Sequence, residues 1–548
     1  MRSHPRPLLV ALASTAAIAL ASCTFLLNRD STQCATNGDC AHFRTEAICV
    51  GGFCQLPEAS ADALPDVLAD TGVDGPSRVV DGGGADGRDG GASDAPSCPP
   101  GCFSGTPTTD VEFFNACTNS SCVVFDNCVR IGLCDGAAPA PALVAPPSAE
   151  AGAAAEASVP TVDCYSASRP APLYMQGSTN FTPFIAAMSK LVTNNTIIWQ
   201  PTSSCAGAGA GGFGTKTNTA MTNPTSSAQN PATFYDQSGN ATPCALGNGP
   251  NAINANSDPT DIGESDVFSE ACTPPGQSSW TAGVAPYQKI GEYLGPVQSF
   301  VFVTPIASDQ TVISAEAARL VFGLGGDQGQ STPWTNPSSM LIRSPSTGTD
   351  IILSLAIAIP PTAWWGNVVK NALSMTNDII DTSASNAEQT IGVLSSDYAD
   401  NPTYKSAINT LYFQASGQNA GFLPDSLSST NDKQNTRNGH YAPWGYIHLY
   451  LTLNDSGQPQ PQAQGFVSLF NEPNQALVDA TIQGGDVPVC AMHVARTAEM
   501  GPLHAYTSAF PCNCYYDKSV SGSTSCAPCT GPSDCPTQTC NLGFCETK

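Results

Sequence analysis

The number and spacing of the cysteines constrain this chain more than any other feature. The sequence holds 23 cysteines, and Cys23 stands apart from the rest at the end of an apolar segment. The others fall into four blocks that each hold an even number, so we predict disulfides inside every block, with the connectivity left open. Because disulfides persist in oxidising compartments, these counts also predict export from the cytoplasm. The blocks are Cys34, Cys40, Cys49, Cys54; Cys98, Cys102, Cys117, Cys122, Cys128, Cys134; Cys164, Cys205, Cys244, Cys272; and Cys490, Cys512, Cys514, Cys526, Cys529, Cys535, Cys540, Cys545.

The N-terminal segment has the features of a targeting signal. Arg2 and Arg6 precede an apolar run, Leu8–Leu20, that is too short to span a bilayer as a mature helix. The run ends in Leu20-Ala21-Ser22-Cys23, which resembles the lipobox of bacterial lipoproteins. That resemblance implies a signal peptide over 1–22, cleavage before Cys23, and acylation of Cys23, palmitate included. We therefore expect a lipid-anchored, extracytoplasmic protein of the cell envelope, either in the outer membrane or facing the periplasm. An ordinary signal peptide with an incidental cysteine is the alternative.

Composition divides the chain into small modules, linkers and one large domain. Two short cysteine patterns at 34–54 and 529–545 resemble each other, and they predict small disulfide-held modules over 23–56 and 511–548. A third cysteine-rich module is expected over 98–134. Residues 57–97 are rich in Asp, Gly, Ala and Pro, which predicts a disordered acidic linker, and 135–160 is an Ala/Pro linker. Zinc is the alternative for Cys526 and Cys529, although the even cysteine count favours disulfides.

The net charge and the residue spacings exclude several classes of function. The formal net charge is −25, which makes nucleic acid a poor partner. An anion could still bind, but only through short, aimed hydrogen bonds rather than long-range attraction. The histidines show no metal-ligand spacing, and the Gly-rich run at 207–214 lacks the acidic residue that a dinucleotide site requires. We therefore expect no cofactor, no metal and no enzyme activity.

The segment 165–510 alternates apolar runs with helical patterns, which predicts α/β lobes. Its length suits two lobes, because single hydrophobic cores stop growing near about 250–300 residues. We expect one lobe over 165–296 plus 440–510 and the other over 297–439, with crossings near Gly295 and Gly439. The predicted helices lie at 182–192 and 315–324, the predicted strands at 196–200, 298–305, 340–343 and 446–453, and the apolar segment 350–359 is ambiguous.

Three junctions carry hydroxyls and glycines where a helix can begin: 177–180, 200–207 and 343–349. Helix N-termini offer unpaired N–H groups and partial positive charge, which suits an anion. Arg343 adds a planar, bidentate donor for an oxyanion. Each junction alone is a weak signal, because such caps begin many helices.

The order of these motifs resembles the phosphate-binding component of ABC phosphate importers, which has the type II periplasmic-binding-protein fold. The resemblance spans about 170–455. It rests on Gly177-Ser178-Thr179, Ser203-Ser204, DIGESD at 261–266, RSPSTGT at 343–349, IGVLSSDYA at 391–399 and YAPWGYIHLYL at 441–451. The implied fold is two-lobed α/β, with an oxyanion in the interlobe cleft and an ABC permease as a candidate partner.

The resemblance implies a role for each matching residue. Thr179, Thr347 and Thr349 would donate hydroxyls, Asn180 and Gly348 would donate backbone N–H groups, and Arg343 would pair with the oxyanion. Ser204 would donate from the second loop, with Ser203 left open. Asp266 would accept a proton that phosphate keeps and sulfate lacks, which predicts phosphate over sulfate. An N-cap role for Asp266 is the alternative.

Two departures from the family pattern matter. Pro345 stands where the family often has an Asp that orients the arginine, and 207–255 is an unusual insertion that could cover the cleft or contact a partner. The alternative function is an envelope interaction or scaffold protein that reuses the fold without binding an anion.

Overall fold

The computed structural model describes residues 48–50, 53–55, 102–134, 142–144, 146, 158–209, 220–272, 289–325, 331–470 and 474–546. The chain forms two compact units, Met1–Gly90 and Gly91–Lys548. In the first unit, Ile48–Val50 and Phe53–Gln55 pair as an antiparallel hairpin. The predicted signal peptide, Cys23, the acidic linker and most of the Ala/Pro linker lie outside the described residues.

The second unit is built on one eleven-stranded mixed sheet. Its strands, in chain order, are β1 Ala171–Gly177, β2 Asn195–Pro201, β3 Ala232–Tyr235, β4 Ala241–Cys244, β5 Ile262–Ser265, β6 Ile290–Pro305, β7 Met340–Ile342, β8 Asn367–Val368, β9 Ile391–Ser395, β10 Ile408–Thr410 and β11 Trp444–Thr452. The spatial order is β8-β7-β9-β6-β11-β5-β1-β2-β3-β4, and β10 pairs with β6 off this path.

One long strand joins the two halves of the sheet. The first part of β6 pairs antiparallel with β11, and its last residues pair with β9 and β10. The register shifts between Leu294 and Val297. The first lobe contains β1, β2 and β5 in parallel, and the second contains β7, β8 and β9 in parallel. The predicted two-lobed α/β fold is confirmed by this topology, while the predicted lobe limits stay predictions.

Short helices cover both halves. They are α1 Asp110–Phe114, α2 Asn127–Ile131, α3 Thr182–Met188, α4 Ser204–Ala208, α5 Ala315–Leu324, α6 Gly348–Ala356, α7 Ala372–Ile380, α8 Ser396–Ala399, α9 Gln434–Asn438, α10 Pro461–Val467, α11 Gln475–Gly484 and α12 Asn513–Ser521. Every helix in the described ranges falls short of the length and hydrophobicity that a membrane span requires.

Each lobe has its own hydrophobic core. Phe181, Trp199 and Ile447 lie in a buried cluster of the first lobe, and Phe302, Phe322 and the aromatic ring of Phe413 stack in the second. Burial of such aromatic side chains dominates core energetics. The paired cores hold the carboxyl ends of the strands in place, and these ends carry the candidate site.

The disulfides follow the blocks wherever the structure describes them. The third block pairs as Cys164–Cys244 and Cys205–Cys272. The fourth block pairs entirely within itself, as Cys490–Cys512, Cys514–Cys526, Cys529–Cys540 and Cys535–Cys545. Cys526 and Cys529, the pair with zinc-like spacing, therefore sit in two different disulfides. The cysteines of the first block and Cys98 lie outside the residues whose side chains are described.

The segment 102–134, part of the cysteine-rich module expected over 98–134, packs against the second lobe. It holds the disulfides Cys102–Cys117 and Cys128–Cys134, while Cys122 is a free thiol in the described part of the chain. Cys122–Val123 pairs with Gly421–Phe422, a strand associated with the second lobe. Phe125 and Ile131 belong to the second lobe's hydrophobic core. A segment this short cannot bury enough surface alone, so it completes its core against the lobe.

The described part of the insertion reaches across the cleft. Met221–Thr222 pairs with Ser257–Asp258, and β3 and β4 extend the first lobe's sheet. Lys370, beside β8 in the second lobe, donates from Nζ to the carbonyls of Ser227 and Gln229 at 2.6 and 3.0 Å. These bonds join the insertion to the opposite lobe, one of the two roles expected for it from the sequence.

Candidate functional site

The candidate site lies where strands end and helices begin. β1 ends at Gly177 and β2 at Pro201, side by side and parallel, so their carboxyl ends reach the same edge of the sheet. β5 ends at Ser265, directly before Asp266. From the other lobe, β7 leads into Arg343 and the loop that starts α6.

Asp266 is the centre of the site. Its side chain is buried, and its Oδ2 atom accepts hydrogen bonds from the Ser178 hydroxyl at 2.5 Å, the Asn180 amide at 3.0 Å and the Ser204 hydroxyl at 3.1 Å. The Ser204 oxygen in turn accepts the backbone N–H of Gly348 at 2.7 Å. Asp266 thus collects three donors from two separate loops, and through Ser204 it reaches α6 of the opposite lobe.

The N-terminus of α6 approaches Asp266 closely. A Cβ atom at Gly348 would lie 2.7 Å from Asp266 Oδ2 and 2.9 Å from the Ser204 hydroxyl oxygen. Only glycine leaves room for that approach. The next residue, Thr349, accepts a hydrogen bond at its hydroxyl from the Asn180 amide at 3.0 Å. The partial positive charge of a helix N-terminus therefore faces the buried carboxylate.

Two hydroxyls that the sequence offered as anion donors cap helices in the structure. Ser203 caps α4, because its hydroxyl accepts the Ala206 N–H at 3.2 Å. That leaves Ser204 as the residue that faces Asp266. Thr347 caps α6 at Asp350 N and donates its own proton to the Ser344 carbonyl at 2.8 Å. The Thr347 hydroxyl is therefore committed to the turn in this structure.

Arg343 is a buried guanidinium without a counter-ion. Its Nη2 atom donates to the Thr179 hydroxyl at 3.3 Å and to the Lys370 carbonyl at 3.4 Å. The side chain is 2% exposed, and its Nε atom has no hydrogen-bond acceptor. Over the described ranges, no carboxylate forms an ion pair with it within 4.0 Å. Burial lowers the pKa of Arg343 from its ordinary value, an effect that the nearby Asp350 opposes.

The structure therefore brings all eight predicted residues to one region. Seven of them are joined through two hydrogen-bonded sets, one around Asp266 and one at Arg343 and Thr179. Whether these residues bind an anion stays a prediction. The eight are Thr179, Asn180, Ser204, Asp266, Arg343, Thr347, Gly348 and Thr349.

Sequence reasoning missed three residues of the site. Ser178 donates to Asp266, and Asp350 accepts the backbone N–H of Arg343 at 3.1 Å. Asp350 thus holds the arginine's backbone where the family's orienting acid is replaced by Pro345. The third is Glu264, which is fully buried and accepts the Ser178 N–H at 2.6 Å. Strand alternation was the available signal, because Glu264 and Asp266 are two residues apart and face the same side.

Glu264 and Asp266 form a buried carboxyl pair. Ser178 joins the two groups, because its N–H donates to Glu264 Oε2 at 2.6 Å and its hydroxyl donates to Asp266 Oδ2 at 2.5 Å. Burial and the neighbouring Asp266 raise the pKa of Glu264 well above its ordinary value. Burial also raises the pKa of Asp266, against the hydrogen bonds that it accepts.

A second acidic cluster lies nearby. Gln298 on β6 donates to Asp397 at 3.5 Å and to Asp486 at 3.2 Å. Burial raises the pKa of Asp397 to about 7 and that of Asp486 well above its ordinary value, and the Asp266 charge contributes to both. The cleft therefore holds several buried carboxyls that favour their protonated forms.

A polar cavity of about 350 Å³ opens beside the carboxylate-centred set, and its lining contains no acidic residue among those described. Both lobes contribute to it, with Gln176, Gln200 and Ser203 from the first and Ser344, Thr347 and Lys370 from the second. The cavity shares Thr347 with the predicted site.

Several solved structures are similar to this chain over more than half of its length. A putative phosphate ABC transporter substrate-binding protein from Clostridium perfringens, solved with bound phosphate, is 10% identical, with 58% of this chain and 99% of that chain covered and a TM-score of 0.37. An ABC-type phosphate transport receptor from Vibrio cholerae is 12% identical, with 57% and 99% covered and a TM-score of 0.34.

A regulatory domain of a LysR-family regulator from N. meningitidis is also similar, at 8% identity, with 57% and 94% covered and a TM-score of 0.29. No protein-family model and no curated protein matches the chain by sequence. At this level of similarity, the strand order and the shared strand β6 establish the fold, and these relatives carry no residue roles.

Proposed function

We propose that this chain is an exported, lipid-anchored solute-binding protein that holds a small oxyanion, with phosphate as the best candidate, in the cleft between its lobes. The site for the oxyanion, called the cradle below, consists of Thr179, Asn180, Ser204, Asp266, Arg343, Thr347, Gly348 and Thr349. The proposal includes the lipid anchor at Cys23 and an ABC-type uptake or sensing role. It involves no covalent step.

The observation that carries the proposal is the buried, unpaired guanidinium of Arg343. A buried charge without a counter-ion is costly, and proteins retain it where a ligand supplies the partner. Its free Nε atom sits in a region rich in hydroxyl and amide donors. A bidentate oxyanion matches the planar fork of a guanidinium.

Asp266 supports phosphate over sulfate. An entering anion would draw the Ser178, Asn180 and Ser204 donors away from Asp266 Oδ2. The carboxylate then needs a new donor, because an unsatisfied buried acceptor costs about 1–3 kcal/mol or more. Phosphate can supply an O–H near neutral pH, whereas sulfate has none. Phosphate is therefore preferred, because its O–H can replace the protein donors that Asp266 gives up to the ligand.

The second candidate function is an envelope scaffold that does not bind an anion. The observation that favours it is the same carboxylate, because Asp266 already satisfies the donors that an oxyanion would need. In this reading, Asp266 takes the place of the ligand permanently. The interlobe bonds of Lys370 would then be structural rather than part of a binding cycle.

Calorimetric titration of the purified chain separates the two functions. The binding proposal expects saturable heat with phosphate and weaker or no heat with sulfate at the same concentration. The scaffold reading expects no heat with either anion. Mass spectrometry of the membrane fraction, with Cys23→Ala as control, tests the anchor, because only the acylated chain carries the added lipid mass.

A further inference from the structure

A buried carboxylic acid stands directly against the residue that would select the ligand. Glu264 is fully buried, and its Oε2 atom accepts the Ser178 N–H at 2.6 Å. Neither Glu264 Oε1 nor Asp266 Oδ1 receives a hydrogen bond from any other described side chain or backbone group. Among the described residues, a proton carried by one of the two carboxyl groups is therefore the donor available to the other.

Two adjacent buried carboxylates cannot both carry a charge at low cost. Like charges in one site push at least one of the two groups to keep its proton. Asp266 accepts three hydrogen bonds at Oδ2, which favours its ionised form, whereas Glu264 accepts one backbone N–H. The proton accordingly belongs on Glu264, which donates it to Asp266.

The backbone around Glu264 leaves it no alternative position. A Cβ atom at Gly177 would lie 2.3 Å from Glu264 Oε2, so the side chain fills the space beside β1. A Cβ at Gly207, in α4, would lie 1.7 Å from the Glu264 carbonyl oxygen. Two glycines from neighbouring elements thus make room for this residue at the floor of the cradle.

The charged groups around Glu264 reinforce the same protonation state. Asp486, which follows α11, is a further buried carboxyl near Glu264, and any charge on it would also favour the protonated form of Glu264. The titratable residues on the adjacent strands are engaged elsewhere, with Tyr174 of β1 next to Asp258, and His448 and Tyr450 of β11 hydrogen-bonded to Glu292. Cys205 of α4 is in a disulfide.

We propose that Glu264 is a specificity-determining residue of the cradle, which donates its proton to Asp266 and keeps the carboxyl pair at a single negative charge. This inference rests on the proposed function. A doubly charged pair would repel any oxyanion that Arg343 attracts. A singly charged pair leaves Asp266 as an acceptor for the ligand's own proton. Glu264 would therefore set the condition under which the phosphate preference operates.

The test compares Glu264→Gln with the unchanged chain. Glutamine has nearly the same shape and keeps a donor toward Asp266, without any charge. Glu264→Leu removes that donor and should lower the ratio of phosphate to sulfate affinity at about pH 7.5 by about tenfold, whereas Glu264→Gln should keep phosphate affinity within about threefold of the original value. If Glu264 were ionised, the substitution would remove a negative charge beside the ligand, and phosphate would bind about tenfold tighter or more. That gain would overturn the inference.

Infrared spectroscopy provides a second readout that does not depend on binding. A protonated carboxyl has its own C=O stretch, and the difference spectrum between the original chain and Glu264→Gln at about pH 7.5 should show the loss of one such group. Asp378→Asn, on the exposed face of α7, is the matched control and should show no such loss. A spectrum without that loss would contradict the inference.

The outcomes separate this inference from the function on which it rests. Phosphate binding with a tenfold gain in Glu264→Gln would leave the proposed function standing and remove the role of Glu264. Absence of phosphate binding by the original chain would overturn both. Binding within threefold, together with the lost protonated carboxyl, is the result that supports both.

Discussion

At the scale of single residues, the buried guanidinium of Arg343 decides whether the cleft can hold an anion. Arg343→Ala should weaken phosphate binding by about 30-fold or more, because removing a buried, bidentate donor from an ion pair costs about 2 kcal/mol or more. Calorimetry measures the change. Arg130→Ala, on α2 outside the cradle, is the matched control and should leave affinity unchanged. Equal affinities in all three proteins would remove Arg343 from the site.

Asp266 controls which oxyanion is preferred. Asp266→Asn replaces an acceptor-only carboxylate by an amide that can also donate, so a fully deprotonated anion is no longer penalised. The ratio of phosphate to sulfate affinity should fall by about tenfold. Competition titrations with both anions measure this ratio. A ratio that stays the same would show that Asp266 does not discriminate between them.

At the scale of elements, the close approach of α6 to Asp266 depends on a missing side chain. A Cβ at position 348 would lie 2.4 Å from Asp266 Cβ, so Gly348→Ala should shift α6 and lower both the melting temperature and the phosphate affinity. The matched control is Gly465→Ala in α10, where the nearest atom to the new Cβ is 4.0 Å away. That change should stabilise by about 0.5–1 kcal/mol, since alanine favours helices.

Thermal melts and calorimetry on both glycine variants measure these effects. If Gly348→Ala melted and bound like the original chain, the interlobe contact through α6 would not be part of the site.

The elements show how far the sequence could predict the structure. The helix expected at 315–324 is confirmed as α5, Ala315–Leu324, because Ser314 caps its start and Gly325 takes the left-handed conformation at its end. The ambiguous segment at 350–359 is largely helix, α6, since Thr347 caps it at Gly348. Caps of this kind depend on residues within a few positions of the helix end, and so they could be predicted from the sequence.

Partners across space were harder to predict than local elements. The order of strand ends predicted that the loops of Thr179, Ser204 and Arg343 would meet, and they do. Nothing local indicated that Asp350 would bond to the Arg343 backbone, or that Cys122 would be left as a thiol. The packing of 102–134 against the second lobe could not be predicted either. Cysteine spacing indicates which residues can form disulfides, but it does not indicate the surface against which a small segment packs.

At the scale of the whole molecule, the buried carboxyls make stability depend on pH. Burial raises the pKa of Asp397 to about 7 and that of Glu499 to about 8, and it raises the pKa values of Glu264, Asp350 and Asp486 well above the ordinary values of these groups. The folded chain therefore holds protons that the unfolded chain has already released. The contribution of these carboxyls to stability is therefore present at low pH and is lost as pH rises through their folded pKa values.

We expect the melting temperature to decrease between about pH 7 and 8.5, a window above the ordinary titration of histidine. Each retained proton lowers the free energy of unfolding by about 1.4 kcal/mol per pH unit. Glu499→Gln should reduce this slope, because a glutamine side chain does not titrate. Its amide oxygen can still accept the Phe268 N–H that Glu499 accepts. Differential scanning calorimetry measures both slopes, and a melting temperature that rose with pH would contradict this account.

The central claim is that the two lobes close on one oxyanion, held by Arg343 and the donors that now surround Asp266. A crystal structure of the chain grown at saturating phosphate tests it most directly. The account predicts a tetrahedral ligand bonded to Arg343 Nε, with the Ser204 and Asn180 side chains turned from Asp266 toward it. A cleft without ligand, with Ser178, Asn180 and Ser204 still donating to Asp266 at saturating phosphate, would contradict the account.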